Sequence, residues 1–173
     1  MEFNEKTLKE NCLYKGKILN LKKDDIELPD GKLAVREYVE HSGGSAILCE
    51  KDGKILLVKQ FRYPYKEVIY EIPAGKLNAG EDPAETAIRE LEEEGGIRAE
   101  RVVKMFDVYP TPAYTNEIIR IYRAEGLCET QVKLDEDEFL SAVWVDKNEI
   151  KKMIERGEIK DAKTLIALLA VLK

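Results

Sequence analysis

Apolar and polar residues alternate through the first third of the chain, in short runs broken by turn residues. Ile18–Leu28 and Leu33–Val39 read as strands, and Pro29-Asp30-Gly31 between them predicts a hairpin. Asp52-Gly53 separates Ala46–Cys49 from Ile55–Val58 and predicts a second one. Val102–Val108, Ile118–Tyr122 and Ala142–Val145 read as further strands. Over Pro83–Glu94 the period changes to 3.6, with Ala84, Ala87, Ile88 and Leu91 on one face. An N-cap Asp82, Pro83 at the first helical position and Glu85 start that helix, and Gly95-Gly96 closes it. Asp146 with Glu149 starts a second helix, and Asp161 precedes a third over Lys163–Leu172. This order of elements predicts an α/β (α+β) fold, a mixed sheet with helices packed on it. Residues 1–40 read as an N-terminal antiparallel β-hairpin unit ahead of a main domain over 41–173. A lone hairpin is marginal in water, so it is expected to pack on its own domain or on a second subunit.

At 173 residues the chain can bury a core as one domain. The net charge of -6 and the lack of a long basic run offer no footprint for a nucleic-acid backbone. Charges interrupt the N-terminal stretch and no apolar run approaches membrane length, so neither a signal peptide nor a span is expected. Cys12, Cys49 and Cys128 are odd in number, widely spaced and without a CxxC, and read as reduced, packed thiols in a cytoplasmic protein. His41 is the only histidine, so a Ser-His-Asp or Cys-His mechanism would have to be built on it alone, and the chemistry is expected to rest on carboxylates.

Those carboxylates crowd one place. Glu90, Glu92, Glu93 and Glu94 fill the last turn of the first helix, where Glu90 and Glu94 are one turn apart and flank the apolar face. A helix C-terminus carries partial negative charge, so acids there cost roughly 0.3–1 kcal/mol each. A solvated acidic surface is the plain alternative. A cation between Glu90 and Glu94 would instead reverse the sign of the penalty, and oxygen-only ligands suit Mg²⁺ or Mn²⁺ rather than zinc.

The wider spacing narrows the choice. Gly75, five residues, Glu81, seven residues, then Arg89-Glu90-Leu91-Glu92-Glu93-Glu94-Gly95-Gly96-Ile97 matches the Nudix box, G-x5-E-x7-R-E-U-x-E-E-x-G-U, at every defined position. The chain thus resembles the Nudix hydrolases, and the resemblance implies a mixed β-sheet sandwiched between helices with the box as loop-helix-loop. It implies two or three Mg²⁺ ions (or Mn²⁺) held by Glu90, Glu93, Glu94 and the carbonyl of Ala74, and hydrolysis of a nucleoside diphosphate linked to another moiety. Arg89 is expected to orient a box carboxylate, and Gly75 and Gly80 to serve loop geometry.

Outside the box, Gln60-Phe61-Arg62, Glu71-Ile72-Pro73-Ala74-Gly75, Arg36-Glu37 and Thr111-Pro112-Ala113-Tyr114-Thr115-Asn116-Glu117 resemble segments of the ADP-ribose pyrophosphatases. That resemblance implies cleavage of ADP-ribose to AMP and ribose 5-phosphate. Arg36, Glu37, Arg62, Lys76, Thr111, Pro112, Ala113 and Glu117 would bind substrate. Ala113 departs from the group's usual glycine and bears on which moiety fits there. From the residues alone Asp135–Glu138 reads as a solvated, mobile loop; the resemblance instead implies a catalytic base at Glu136, with Glu93 also in the catalytic set, and a further metal ligand at Glu138. It also implies a homodimer that exchanges its N-terminal hairpin, with Tyr14 and Tyr38 as residues that either stack on the base or fill the core. The nearest alternative is a Nudix pyrophosphatase for GDP-mannose or another nucleotide sugar. A non-catalytic ADP-ribose-binding module is the rival from another class, but such modules usually lack a box glutamate and none is missing here.

Overall fold

In the computed structural model, which describes residues 3–134 and 139–172, the backbone divides into two compact units. One runs through Gly43 and also takes in Thr111–Ile118; the other comprises Gly44–Pro110 and the chain from Ile119 onward.

The first unit is a four-stranded antiparallel sheet of β1 (Lys6–Lys9), β2 (Cys12–Lys15), β3 (Leu19–Glu27) and β4 (Leu33–His41). β3 and β4 form the expected hairpin, in register from Leu19 opposite His41 to Glu27 opposite Leu33. Its turn is tied by the Gly31 N–H, which donates to the Leu28 carbonyl at 2.8 Å, with Gly31 at φ 82° where a side chain would be strained. The other edge of β3 is covered by β1 and β2 in succession. Neither was expected, because every residue in both is exposed and no in-out alternation marks them. The Thr111–Ile118 segment docks on β4: the Val39 N–H donates to the Tyr114 carbonyl at 2.8 Å, and the Asn116 N–H to the Val39 carbonyl at 3.2 Å.

The second unit holds β5 (Gly44–Leu48), β6 (Glu50–Lys51), β7 (Lys54–Arg62), β8 (Glu67–Glu71), β9 (Ala74–Lys76), α1 (Pro83–Gly95), β10 (Ile97–Val108), β11 (Ile119–Glu129), β12 (Leu140–Asp146), α2 (Lys147–Glu155) and α3 (Ala162–Val171). One sheet has the order β10-β11-β5-β9, with β11 and β5 parallel and the other pairs antiparallel. In a second sheet β12, β6 and β8 all pair antiparallel with β7. The Asp52-Gly53 turn is present, with both residues at positive φ as a two-residue hairpin requires. Its arms differ from the expectation. Only β6 returns against β7, while Ala46–Leu48 belongs to β5 in the other sheet. β5 is buried along its whole length, so its apolar stretch Ala46–Leu48 shows no alternation from which a partner could be read.

β5 divides the core. Ile47 and Cys49 face a cluster with Ala87 and Leu91 of α1, whereas Ala46 and Leu48 face one with Ile150 and Met153 of α2 and Ala167 and Leu168 of α3. A mixed sheet between helices is the fold expected. The buried face of α1 is rotated from the sequence reading: Ala84 and Ile88 are half-buried, while Thr86, Glu90 and Glu94 join Ala87 and Leu91 inside. The apolar residues alone did not show this because two of the innermost side chains are acids. No described helix is long and apolar enough to cross a membrane. The cysteines correct another expectation. All are free, but only Cys49 is packed, its pKa pushed up to about 12 by burial. Cys12 and Cys128 are exposed, Cys12 on the short β2 and Cys128 near the end of β11.

Candidate functional site

The site is built where α1 runs beside β9. Asp82 caps α1, accepting from the Ala84 N–H at 2.7 Å, and Pro83 follows without an N–H to waste. At the far end Gly96 takes φ 63° and its N–H reaches the Leu91 and Glu92 carbonyls. Between these stops, 3.6-residue spacing places Glu90 and Glu94 on the buried side, 7% and 3% exposed. Glu94 Oε2 accepts from the Ala74 N–H at 3.0 Å. Glu90 lies against Gly75: a Cβ added there would sit 1.9 Å from Glu90 Oε1. Gly75 is therefore required for close approach, not for a positive φ, whereas Gly80 at φ 78° does serve loop geometry.

Arg89 organises the acids. Its Nε and Nη2 bind Glu81 at 2.8 and 3.1 Å, and its Nη1 reaches Glu90 at 2.7 Å and Glu93 at 2.8 Å. The guanidinium holds the Glu81 carboxyl down at about 2, and the carboxylates push the Arg89 pKa up. Arg89 Nη2 also approaches the Lys76 carbonyl at 3.4 Å. An open depression of about 600 Å³ lies along the outer side of α1, lined by Glu81, Glu85, Ile88, Arg89, Glu92, Glu93, Arg98 and Lys133. It misses Glu90 and Glu94, so it is not the centre of the acidic site.

Ala74, Glu90, Glu93 and Glu94 offer only oxygen, the donor type that Mg²⁺ and Mn²⁺ prefer. Among the described residues no three acid, histidine or cysteine side chains already converge as a cation cage would require. Glu90 and Glu93 are drawn to Arg89, and Glu94 to the Ala74 N–H. Ser45, opposite Gly75 in the β5–β9 register, buries a hydroxyl that bonds to no described residue. Buried carboxylates, a backbone kept bare at Gly75 and an unsatisfied hydroxyl across from it fit a site that takes a hydrated divalent ion. Glu136 and Glu138 lie outside the described residues.

Arg62 is held in a second array. Its Nε and Nη2 donate to the two oxygens of Glu71 at 2.5 and 2.8 Å, and Lys163 Nζ pairs with the same carboxylate. Lys163 also pairs with Asp161 Oδ2 at 3.1 Å, the side chain that caps α3. Thr164 Oγ1 donates to Asp161 at 2.6 Å and accepts from the Ile72 N–H at 2.9 Å, pinning the strand that leads to Ala74. Burial pushes the Glu71 pKa up, but Arg62 and Lys163 together bring it below the ordinary value. The sequence reading gave Lys163 and Thr164 no role at the site, and took Asp161 only as a helix start and Glu71 only as part of the Glu71–Gly75 segment. The available signal was a glutamate in the Glu71–Gly75 segment and a lysine inside an otherwise apolar helix.

In the first unit, Arg36 lies on β4 and is paired with Glu5, its Nε 2.9 Å from Oε2. Glu37, next to it, is 3.5 Å from Lys23. Thr111 begins the turn that carries Pro112 and Ala113, its carbonyl accepting from the N–H of Thr115 at 3.2 Å. Ala113 is not among the non-glycine residues at positive φ, which among the described residues are Asp52 and Lys66, so its backbone carries no glycine requirement. Glu117 lies 3.4 Å from His41 Nδ1, which also accepts from the Gly43 N–H at 3.1 Å. Tyr38 donates to Asp24 Oδ2 at 3.1 Å, while Tyr14 is exposed.

Residues 39–168 match the model of the NUDIX domain, and residues 5–39 that of the nucleoside diphosphate sugar hydrolase N-terminal domain. The chain is 44% identical to an ADP-ribose pyrophosphatase of Bacillus subtilis over 95% of its own length and 90% of the relative's. It is 41% identical to a methanol dehydrogenase activator of Bacillus methanolicus, over 96% and 91% of the two chains. Its fold is similar to that of a crystal structure of an ADP compounds hydrolase, with TM-score 0.86 and 21% identity over 99% of this chain and 94% of the other.

Proposed function

The chain belongs to the Nudix hydrolase family, in its ADP-ribose pyrophosphatase group, and on that premise we propose that it hydrolyses ADP-ribose to AMP and ribose 5-phosphate. The observation that carries this reading is the pair of buried carboxylates, Glu90 and Glu94, set against the bare backbone at Ala74 and Gly75. Two or three Mg²⁺ ions, or Mn²⁺ in their place, would be held by Glu90, Glu93, Glu94, Glu138 and the Ala74 carbonyl. When bound, such ions neutralise the diphosphate and lower the pKa of a water. Glu136 would take a proton from the water that attacks phosphorus, and Glu93 would orient that water. One P–O bond forms to the water oxygen and the P–O bond to the bridging oxygen breaks, leaving one phosphate on each product. Arg36 and Arg62 bind the diphosphate and ribose, with Glu37, Lys76, Thr111, Pro112, Ala113 and Glu117 completing the substrate contacts. The protein acts in the cytoplasm as a homodimer that exchanges its N-terminal unit, residues 1–40, ahead of a Nudix domain over 41–173.

Product analysis on a panel of nucleoside diphosphate sugars with Mg²⁺ tests this. AMP and ribose 5-phosphate are expected from ADP-ribose, with all turnover lost in chelator. Faster cleavage of GDP-mannose would move the assignment to that substrate. Glu94→Gln keeps the shape of the side chain and removes its charge, so kcat is expected to fall by orders of magnitude with the fold retained. Glu136→Gln is expected to depress kcat while substrate and metal affinity stay nearly unchanged, since its contribution lies in the transition state. Normal turnover in Glu136→Gln beside a dead Glu138→Gln or Glu117→Gln would move the base to that residue.

A further inference from the structure

Outside the box, Glu71 and Lys163 are buried charges, 2% and 8% exposed. Burying an ion pair is a poor way to gain stability, because desolvation consumes most of the attraction and a packed apolar pair often does as well. What such an array does supply is a fixed direction. Glu71 receives both Nε and Nη2 of Arg62, Lys163 holds the same carboxylate from behind, and Asp161 holds Lys163 from the cap of α3. Every part of this chain is anchored on β7, β8 or the start of α3. Arg62 is the one that reaches outward. Its side chain is 38% exposed, and its Nη1 makes no hydrogen bond to a described residue. After Glu71, the nearby charges that raise its pKa include Glu94 of the acidic site as well as Asp161.

A guanidinium bound along its Nε–Nη2 edge has its plane fixed and still presents the Nη1 corner, with the outer N–H of Nη2, as a fork. That fork matches the spacing of phosphate oxygens, and fixing it beforehand spares the rotamer entropy of ordering a long side chain on binding. We propose that Glu71 and Lys163 are positioning residues, which hold Arg62 so that its free corner meets the substrate diphosphate. This rests on the assignment of Arg62 to the diphosphate made above. Lys163 is needed because Glu71 faces two cations. With the ammonium removed, the carboxylate is free to draw the guanidinium inward, away from the site.

A double-mutant cycle on ADP-ribose hydrolysis separates this from a merely structural role. Glu71→Gln and Lys163→Met are each expected to raise KM about tenfold, the effect of misplacing one charged hydrogen-bond donor. The kcat and the Mg²⁺ concentration for half-activation should stay within about threefold, because the bound ions are held elsewhere. In an Arg62→Ala background, which raises KM by itself, neither change should add a further rise. Lys163→Arg keeps the charge and should recover most of the loss. If Arg62→Ala leaves KM unchanged, the diphosphate assignment of Arg62 fails. If Arg62→Ala raises KM but Glu71→Gln and Lys163→Met do not, or add to it independently, the positioning role is overturned. Should the buried substitutions prevent folding, the wild-type protein answers instead. The Arg62 Nε–H resonance should keep the signature of its bond to Glu71 when α,β-methylene ADP-ribose binds. Loss of that signature on binding would overturn the proposal.

Discussion

At the scale of single residues, the proposed chemistry depends on how closely backbone and carboxylate approach. Gly75→Ala puts a methyl where Glu90 Oε1 now lies, so the carboxylate must leave. A displacement of that size at a reacting centre costs about a hundredfold in rate, which steady-state kinetics will show while circular dichroism remains native. Wild-type kcat in Gly75→Ala would mean that Glu90 is not needed where it stands. Arg89 gives a second handle. Its hydrogen bonds lower the Glu81 pKa from 4.5 to about 2. A depressed carboxyl contributes stability that is complete above its unfolded pKa and is lost as pH falls through the folded value. The Glu81–Arg89 pair should therefore hold at neutral pH and fail between pH 4.5 and about 2. Carboxyl NMR titration should place the Glu81 midpoint near 2 in the wild type and back toward 4.5 in Arg89→Met. An unchanged midpoint in Arg89→Met would remove the arginine as the cause.

At the scale of elements, α1 is the part that must be the right length and at the right rotation. Its ends are set by local chemistry, the Asp82 cap and the left-handed Gly96. Asp82→Ala is expected to cost about 1 kcal/mol, which in a domain of this size lowers Tm by roughly 2–4 °C. Calorimetry on the two proteins measures it, and an unchanged Tm would show the cap to be idle. The rotation is another matter. Period alone put Ala84 and Ile88 on the buried face with Ala87 and Leu91, and Glu90 and Glu94 at its flank, but both acids are more buried than Ala84 or Ile88. A carboxylate enters a core only with a partner waiting there, and the Ala74 N–H and Arg89 are such partners. β9, which supplies the Ala74 N–H, is three residues long and too short for a pattern to reveal.

At the scale of the whole molecule, the first unit carries apolar side chains in the open: Phe3, Leu13, Leu33 and Val35 are all exposed. A four-stranded sheet that leaves such residues in water gains by covering them, and a second copy of the chain is the covering proposed here. Sedimentation at micromolar concentration is expected to give a homodimer. A stable and active monomer would refute it. The caps of all three helices and both turns were legible in the sequence, because each depends on neighbours within about one helical turn or one tight loop, and the Nudix box was legible as a fixed spacing of residue types from Gly75 to Ile97. β3, β4, β10, β11 and β12 were legible as strands for the same reason, although β10 and β11 extend further than their apolar runs. What the sequence by itself could not decide is which distant groups would share a charge. In the β7–β8 register Arg62 lies opposite Glu67, yet its side chain reaches Glu71, which lies opposite Val58, and Lys163 joins Glu71 from 92 positions away in the chain. Such contacts are set by sheet register and helix packing, which depend on the summed burial of many side chains and leave no local mark. The residue types that do the chemistry were therefore fixed by sequence, and the company they keep was decided only by the fold.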